Sequence, residues 1–152
     1  MDRISFEIKP RQGFGELNFG LTIDETAKRL GEAQVIEQID EEEVIDTLIL
    51  HYHDLKTIVF FEGANKSVLS CIETENTEAK LFGEDVFSME EKQVIRLMKE
   101  NGYTHYDMEP EEGENCLSYE DALIDFYFKG DKLIAVNWGV MVSDDGEIID
   151  FQ

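Results

Sequence analysis

The chain has 152 residues, the size of one ordinary domain, and 42% of them are hydrophobic, which is enough for a packed interior. Its 35 acidic and 13 basic residues give a formal net charge of -22. That charge repels nucleic acids and anionic membranes, which argues against both as partners. It favours a basic protein partner, although the same charge would also serve simply to keep a protein soluble.

The N-terminal residues, the lack of a long apolar run and the cysteines together predict a cytoplasmic protein. The first residues, Met-Asp-Arg, lack the charged start and apolar stretch of a signal peptide, and no apolar run is long enough to cross a bilayer. Cys71 and Cys116 are the two cysteines, and they do not occupy equivalent positions in the two similar halves of the chain described below. We therefore expect reduced thiols rather than a disulfide framework.

The first half of the chain predicts a strand, a helix and four further strands. Residues 3–9 alternate apolar and polar side chains, as a half-buried strand does. Thr22 is placed to cap a helix whose first turn contains Asp24 and Glu25 and which ends at Gly31. The four strands are predicted at residues 35–39, 44–52, 57–61 and 67–73.

The second half repeats this order. Ser88 is placed to cap a helix that stops at Gly102. Strands are predicted at residues 103–108, 116–119, 124–129 and 133–142. Residues 144–146, Asp-Asp-Gly, then predict a hairpin turn before a closing strand at residues 147–151.

The two halves also resemble each other in sequence. Segment 52–63 begins Tyr-x-Asp and ends in an apolar run followed by glycine, and the same pattern recurs 67 positions later in segment 119–130. Self-similarity at a long period indicates a repeat architecture. We predict an α+β protein of two tandem repeats, residues 1–83 and 84–152, each a helix followed by about four antiparallel strands and packed as one unit. A single continuous sheet with both helices on one face is one arrangement of this kind.

Alternation along the strands predicts which side chains face the helices. These are Val59, Phe61, Phe126 and Phe128. The opposite face would carry Ile58, Phe60, Asp125 and Tyr127, with Trp138 on the next strand. If that face is uncovered, it forms an apolar patch of the kind that binds a partner. Alternatively, these rings close over one another where the two repeats meet.

Acidic residues crowd two corresponding connections of the chain. The candidate binding residues among them are Asp40, Glu41, Glu42 and Glu43 in the first connection, and Asp107, Glu111 and Glu112 in the second. One interpretation is ordinary solvated charge. The other is a two-part anionic rim around the aromatic face, which would steer a basic partner toward aromatic anchors.

No catalytic motif accompanies these features. Neither cysteine stands in a nucleophile motif, and no phosphate-binding loop or nucleophile elbow is present in the sequence. His51 and His53 fall on one side of a predicted strand and could share a metal, but no third ligand stands at a telling spacing, which favours surface histidines. We therefore predict a protein that is not an enzyme and has no cofactor.

The order of elements resembles two groups of known proteins. A helix followed by four strands, doubled, resembles the tandem architecture of the beta-lactamase inhibitory proteins. The stretch from Phe19-Gly-Leu-Thr-Ile-Asp-Glu to Leu30-Gly31 is similar to the helix opening of that superfamily. Those inhibitors are secreted with a disulfide in each repeat, which this chain does not match. By size and acidity the chain also resembles acidic bacterial immunity proteins, and this resemblance implies a cytoplasmic protein that covers the basic active site of a toxin.

Together these features predict a non-enzymatic protein-binding module, an immunity or inhibitor-like protein that neutralises a basic bacterial toxin domain. Phe60, Tyr127 and Trp138 would be the anchors, and the two acidic turns would guide the approach. The alternative is a small-molecule or metal-binding protein that uses a cleft between the repeats, lined by His51, Tyr52, His53 and nearby carboxylates. A self-assembling structural domain is a third possibility.

Overall fold

The computed structural model describes residues 6–33, 35–40, 46–63, 66–111 and 113–149. These residues contain two α-helices, α1 (Ile23–Leu30) and α2 (Glu91–Glu100), and two single-turn 3-10 helices, His53–Leu55 and Val86–Ser88. The strands are β1 (Glu7–Lys9), β2 (Gly13–Phe14), β3 (Leu17–Asn18), β4 (Val35–Asp40), β5 (Asp46–Tyr52), β6 (Thr57–Glu62), β7 (Val68–Thr74), β8 (Lys80–Leu81), β9 (Asp107–Glu111), β10 (Glu114–Tyr119), β11 (Ile124–Lys129), β12 (Lys132–Gly139), β13 (Met141–Val142) and β14 (Ile148–Ile149). Neither α-helix is long and apolar enough to cross a membrane.

Eight strands form one continuous antiparallel sheet in the order β4-β5-β6-β7-β12-β11-β10-β9. At its centre β7 pairs antiparallel with β12, so strands from the two halves of the sequence share a ladder. A second sheet has the strand order β3-β2-β1-β8, and its last two strands, β1 and β8, are parallel. Strands β13 and β14 form a separate hairpin.

The predicted α+β fold of two repeats, each a helix followed by about four strands, is wrong. In the part of the chain that the structure describes, fourteen strands accompany two short α-helices, so the protein is mostly β. The strands do not form two sheets that each belong to one helix. Strands β7 and β12, which would be exposed edges of two such sheets, pair with each other instead. The β3-β2-β1-β8 sheet does not occur in the predicted repeat.

Local signals predicted the first helix correctly and the start of the second helix incorrectly. Thr22 caps α1, and its hydroxyl oxygen accepts a hydrogen bond from the backbone N–H of Glu25 at 3.2 Å. The N-cap of α2 is Glu90, which forms a capping box with Gln93. The predicted cap, Ser88, instead ends the preceding 3-10 helix and donates its hydroxyl to the carbonyl oxygen of Asp85.

One face of the eight-stranded sheet is buried in the core. Val59, Phe61, Phe126 and Phe128 are fully buried there, as the alternation predicted. Residues of α2, of the β1-β2-β3-β8 sheet and of the Val86–Ser88 turn belong to the same hydrophobic cluster. The helices and the second sheet therefore cover one face of the large sheet, and the opposite face lies outside this core.

Candidate functional site

The opposite face of the eight-stranded sheet, called the open face below, lies outside this core. Its hydrophobic side chains are absent from the core cluster and from the residues packed against it, within the described part of the chain. Strand pairing places the following residues on it: Ile49, His51, Ile58, Phe60, Glu62, Cys71, Glu73, Asp107, Glu109, Cys116, Ser118, Asp125, Tyr127, Ala135 and Asn137.

Three carboxylates lie in one row across the open face. Glu73 on β7, Asp125 on β11 and Asp107 on β9 belong to the same cross-strand register, separated by Asn137 on β12 and Ser118 on β10. Acidic residues therefore occur on every second strand, about 9.6 Å apart at the usual strand spacing. The open face is therefore negatively charged along this row, like the chain as a whole.

Two predicted anchors, Phe60 and Tyr127, lie on the open face and are half-buried. Phe60 pairs with Ile49 on β5 and Cys71 on β7, on one side of the acidic row. Tyr127 lies on the other side of the row. Burial raises the pKa of the Tyr127 hydroxyl, and the nearby Asp125 carboxylate adds to this effect, so the ring keeps its neutral hydroxyl.

The third predicted anchor, Trp138, faces the core, which is a correction to the prediction. Its side chain is fully buried, and it pairs with Ile124 and Ile72 on the core face. The reason is a β-bulge: Tyr127 pairs with Ala135 but Phe128 pairs with Leu133, which leaves Ile134 as an extra residue in β12. One inserted residue reverses the side to which the following residues point.

The two acidic connections predicted to form a rim around the aromatic face begin at opposite edges of the sheet. Asp40 ends β4 and Glu111 ends β9, and these strands are the opposite edges of the sheet. All neighbouring strands are antiparallel, so β4 and β9 run in opposite directions, and their last residues, Asp40 and Glu111, lie at diagonally opposite corners of the sheet. Glu41, Glu42, Glu43 and Glu112 lie outside the described residues. Asp107 is the predicted acidic residue that the structure places in the central row.

A polar chain crosses the central pair of strands. The Cys71 thiol donates to Oδ1 of Asn137 at 3.2 Å, and Nδ2 of Asn137 donates to Oε1 of Glu73 at 3.3 Å. Burial, with the carboxylates of Glu62 and Glu73 nearby, raises the pKa of the Cys71 thiol to about 12. The thiol is therefore protonated at neutral pH and is a poor nucleophile. No disulfide joins Cys71 to Cys116.

His51, Tyr52 and His53 line a cavity of about 580 Å³ at one end of the open face. The two imidazole rings lie 6.0 Å apart, centroid to centroid. Within the described residues no group of three or more His, Cys, Asp or Glu side chains is arranged to hold a metal ion. The cavity wall also includes the carboxylates of Glu73 and Glu75, and two lysines, Lys56 and Lys132, that the sequence had not connected with the histidines.

Comparison with known proteins found no family model, curated protein or solved structure that matches the chain. The geometry of the open face and of the cavity therefore carries the functional argument.

Proposed function

We propose that this protein is a non-enzymatic protein-binding module, of the immunity or inhibitor type, whose open face covers a basic domain of another protein, such as a bacterial toxin. The observation that carries the proposal is the sheet face outside the core, where Phe60 and Tyr127 flank a row of three carboxylates. Aromatic anchors combined with complementary charge are the usual composition of a specific interface.

The dimensions of the open face suit such an interface. Eight strands about 4.8 Å apart and about six residues long give a face of roughly 700 Å². A standard interface buries about 800 Å² on each partner. The net charge of -22 would accelerate the encounter with a basic partner, most strongly at low salt. We place this function in the cytoplasm, where the two thiols would stay reduced.

The test uses two variants with the same change in charge. The open-face variant carries Asp107→Lys, Glu109→Lys and Asp125→Lys. Its control carries Glu32→Lys, Glu84→Lys and Glu100→Lys, three exposed positions outside the open face. Wild type and control are expected to capture the same basic protein from an extract of the source organism, and to bind it one to one after purification. The open-face variant is expected to lose it.

Two results would count against this function. One is that the open-face variant binds the captured protein as tightly as wild type does. The other is that wild type captures no specific protein, including the product of any toxin-like gene beside its own.

A second candidate function, the binding of an organic small molecule, is favoured by the cavity beside His51. Its volume of about 580 Å³ is within the range of small-molecule sites. Ligand binding there would not require a protein partner. The two candidate functions are therefore separable by experiment.

A further inference from the structure

The cavity beside His51 brings together residues from four separate parts of the chain. Its apolar lining includes Ile58 on β6, Phe87 in the second 3-10 helix, and Leu133 and Ile134 on β12. Its charged lining includes two lysines and two glutamates. A largely apolar surface with a few convergent polar groups is the usual construction of a ligand site.

The wall of this cavity is held by a buried network of hydroxyl and amide groups. The hydroxyls of Thr57 and Thr74 are 2.9 Å apart, and Thr57 also donates to the carbonyl oxygen of Leu55 at 2.9 Å. Nδ2 of Asn76 donates to that same oxygen at 2.9 Å. All three polar side chains are buried, so the network rigidifies the turn beside the cavity.

Lys56 stands at the end of this turn with a left-handed backbone, φ 52° and ψ 41°. Such a conformation costs a residue with a side chain about 1 kcal/mol or more, and it persists only where its surroundings hold it. Here the carbonyl oxygen of Lys56 accepts a hydrogen bond from the backbone N–H of Glu75 at 2.9 Å. The backbone N–H of Lys56 donates to the carbonyl oxygen of His53 at 3.1 Å. The position of Lys56 on the cavity rim is therefore fixed by the fold.

Charges of both signs converge on the cavity. Lys56 and Lys132 line it together with Glu73 and Glu75. Neither lysine forms a salt bridge with a carboxylate in the described part of the chain, although the sequence contains 35 acidic residues. The Glu73 carboxylate accepts a hydrogen bond from Asn137. Both lysines are exposed, so their ammonium groups are solvated, and within the described residues no carboxylate pairs with either of them. Both are therefore available to a ligand carboxylate.

We propose that this cavity binds a zwitterion with an apolar body, namely an apolar amino acid or a short peptide with free termini. The ligand carboxylate would lie against Lys56 and Lys132, its ammonium group against Glu75, and its side chains against Ile58 and Ile134. A simple anion would enter against the field of a chain with net charge -22, and a simple cation would make no favourable contact with the two lysines. A zwitterion is neutral overall and satisfies both sets of charges.

The test is calorimetric titration with three matched probes: the dipeptide leucyl-phenylalanine, its N-acetyl derivative, which lacks the ammonium group, and its C-terminal amide, which lacks the carboxylate. Wild type is expected to bind the dipeptide saturably and both derivatives several-fold more weakly. Free phenylalanine is the fourth arm. If free phenylalanine binds as tightly as the dipeptide, the site is assigned to amino acids. If free phenylalanine binds more weakly, the site is assigned to short peptides.

Single variants locate the binding in this cavity. Lys132→Gln and Glu75→Gln are each expected to weaken dipeptide binding about three- to tenfold, because each removes one charge-assisted contact. The matched control is Lys129→Gln, which changes an exposed lysine paired with Lys132 in the hairpin but outside the cavity. Circular dichroism checks that every variant is folded.

Three outcomes would overturn this proposal: wild type that binds no probe saturably, equal affinity for the dipeptide and its two blocked derivatives, or equal effects of Lys132→Gln and Lys129→Gln. None of these measurements involves a protein partner. Failure of the ligand site and failure of the proposed protein-binding function are therefore distinguishable.

Discussion

The indole Nε1 of Trp138 donates a hydrogen bond to the carbonyl oxygen of Gly13 at 2.9 Å, at a buried position. Trp138 belongs to β12, at the centre of the large sheet, and Gly13 belongs to β2 of the small sheet. The Phe14 ring packs edge-on against the indole at a centroid distance of 5.2 Å. This contact fastens the small sheet onto the core face of the large sheet, on the side opposite the open face.

Replacing Trp138 with phenylalanine should destabilise the protein by about 2–4 kcal/mol. The variant leaves the Gly13 carbonyl oxygen without its donor and creates a cavity in the core. Urea unfolding followed by circular dichroism measures the change in the free energy of unfolding. Tyr103→Phe, a half-buried control, should stay within about 0.5 kcal/mol of wild type. A loss below about 1 kcal/mol in Trp138→Phe would contradict the core position of the indole.

Gly139 allows β12 to approach β7 closely. A β-carbon added there would lie 2.5 Å from the carbonyl oxygen of Ser70, a backbone atom that can move only with its strand. Gly139→Ala should therefore cost about 2–3 kcal/mol in the free energy of unfolding. At Gly83 the backbone has φ +81° but nothing lies within 4 Å of an added β-carbon, so Gly83→Ala should cost about 1 kcal/mol. Equal losses, measured by urea unfolding, would argue against the close central pairing.

Two buried tyrosines should respond oppositely to removal of their hydroxyl groups. Among the described residues, the Tyr119 hydroxyl is the buried side-chain polar atom without a hydrogen-bond partner, whereas the Tyr52 hydroxyl donates to the carbonyl oxygen of Gly31 at 3.0 Å. Tyr119→Phe should be neutral or stabilising by up to about 1 kcal/mol, and Tyr52→Phe should cost about 1 kcal/mol. Thermal and urea unfolding check this order. A larger loss of unfolding free energy in Tyr119→Phe than in Tyr52→Phe would contradict the hydrogen bond of Tyr52 and the unpartnered hydroxyl of Tyr119.

Cys71 should make stability depend on pH in the alkaline range. Its thiol has a pKa of about 12 in the folded protein, above the ordinary value of 9.0. The folded state therefore holds this proton more tightly than the unfolded state, and the thiol's contribution is complete below about pH 9 and is lost as pH rises toward 12. Between pH 8 and pH 11, wild type should lose unfolding free energy faster than Cys71→Ser does. Parallel curves for the two proteins would contradict burial of the thiol.

The sequence predicted features that depend on neighbouring residues. Thr22 caps α1 as expected, because the hydrogen bonds of a helix cap lie within one turn. Phe60 and Phe61 fell on the expected faces of β6, because alternation is a property of the single strand. The alternation alone was enough to place Phe60 on the open face before the sheet order was known.

Features that depend on pairing between distant strands were not predictable in the same way. The side on which Trp138 lies is decided by one extra residue, Ile134, which has no local signature. The distance between the acidic connections depends on β4 and β9 being opposite edges of one sheet. The cavity likewise forms only when β12 brings Lys132 beside β6 and β7.

The measurement that tests the open face most directly is the rate at which the purified partner associates with it at two salt concentrations. Wild type and the variant with lysines at positions 32, 84 and 100 should associate faster at low salt. The variant with lysines at positions 107, 109 and 125 should associate at least tenfold more slowly than that control, since only it reverses the charge that faces the partner. Equal rates for the two variants would contradict binding through this face.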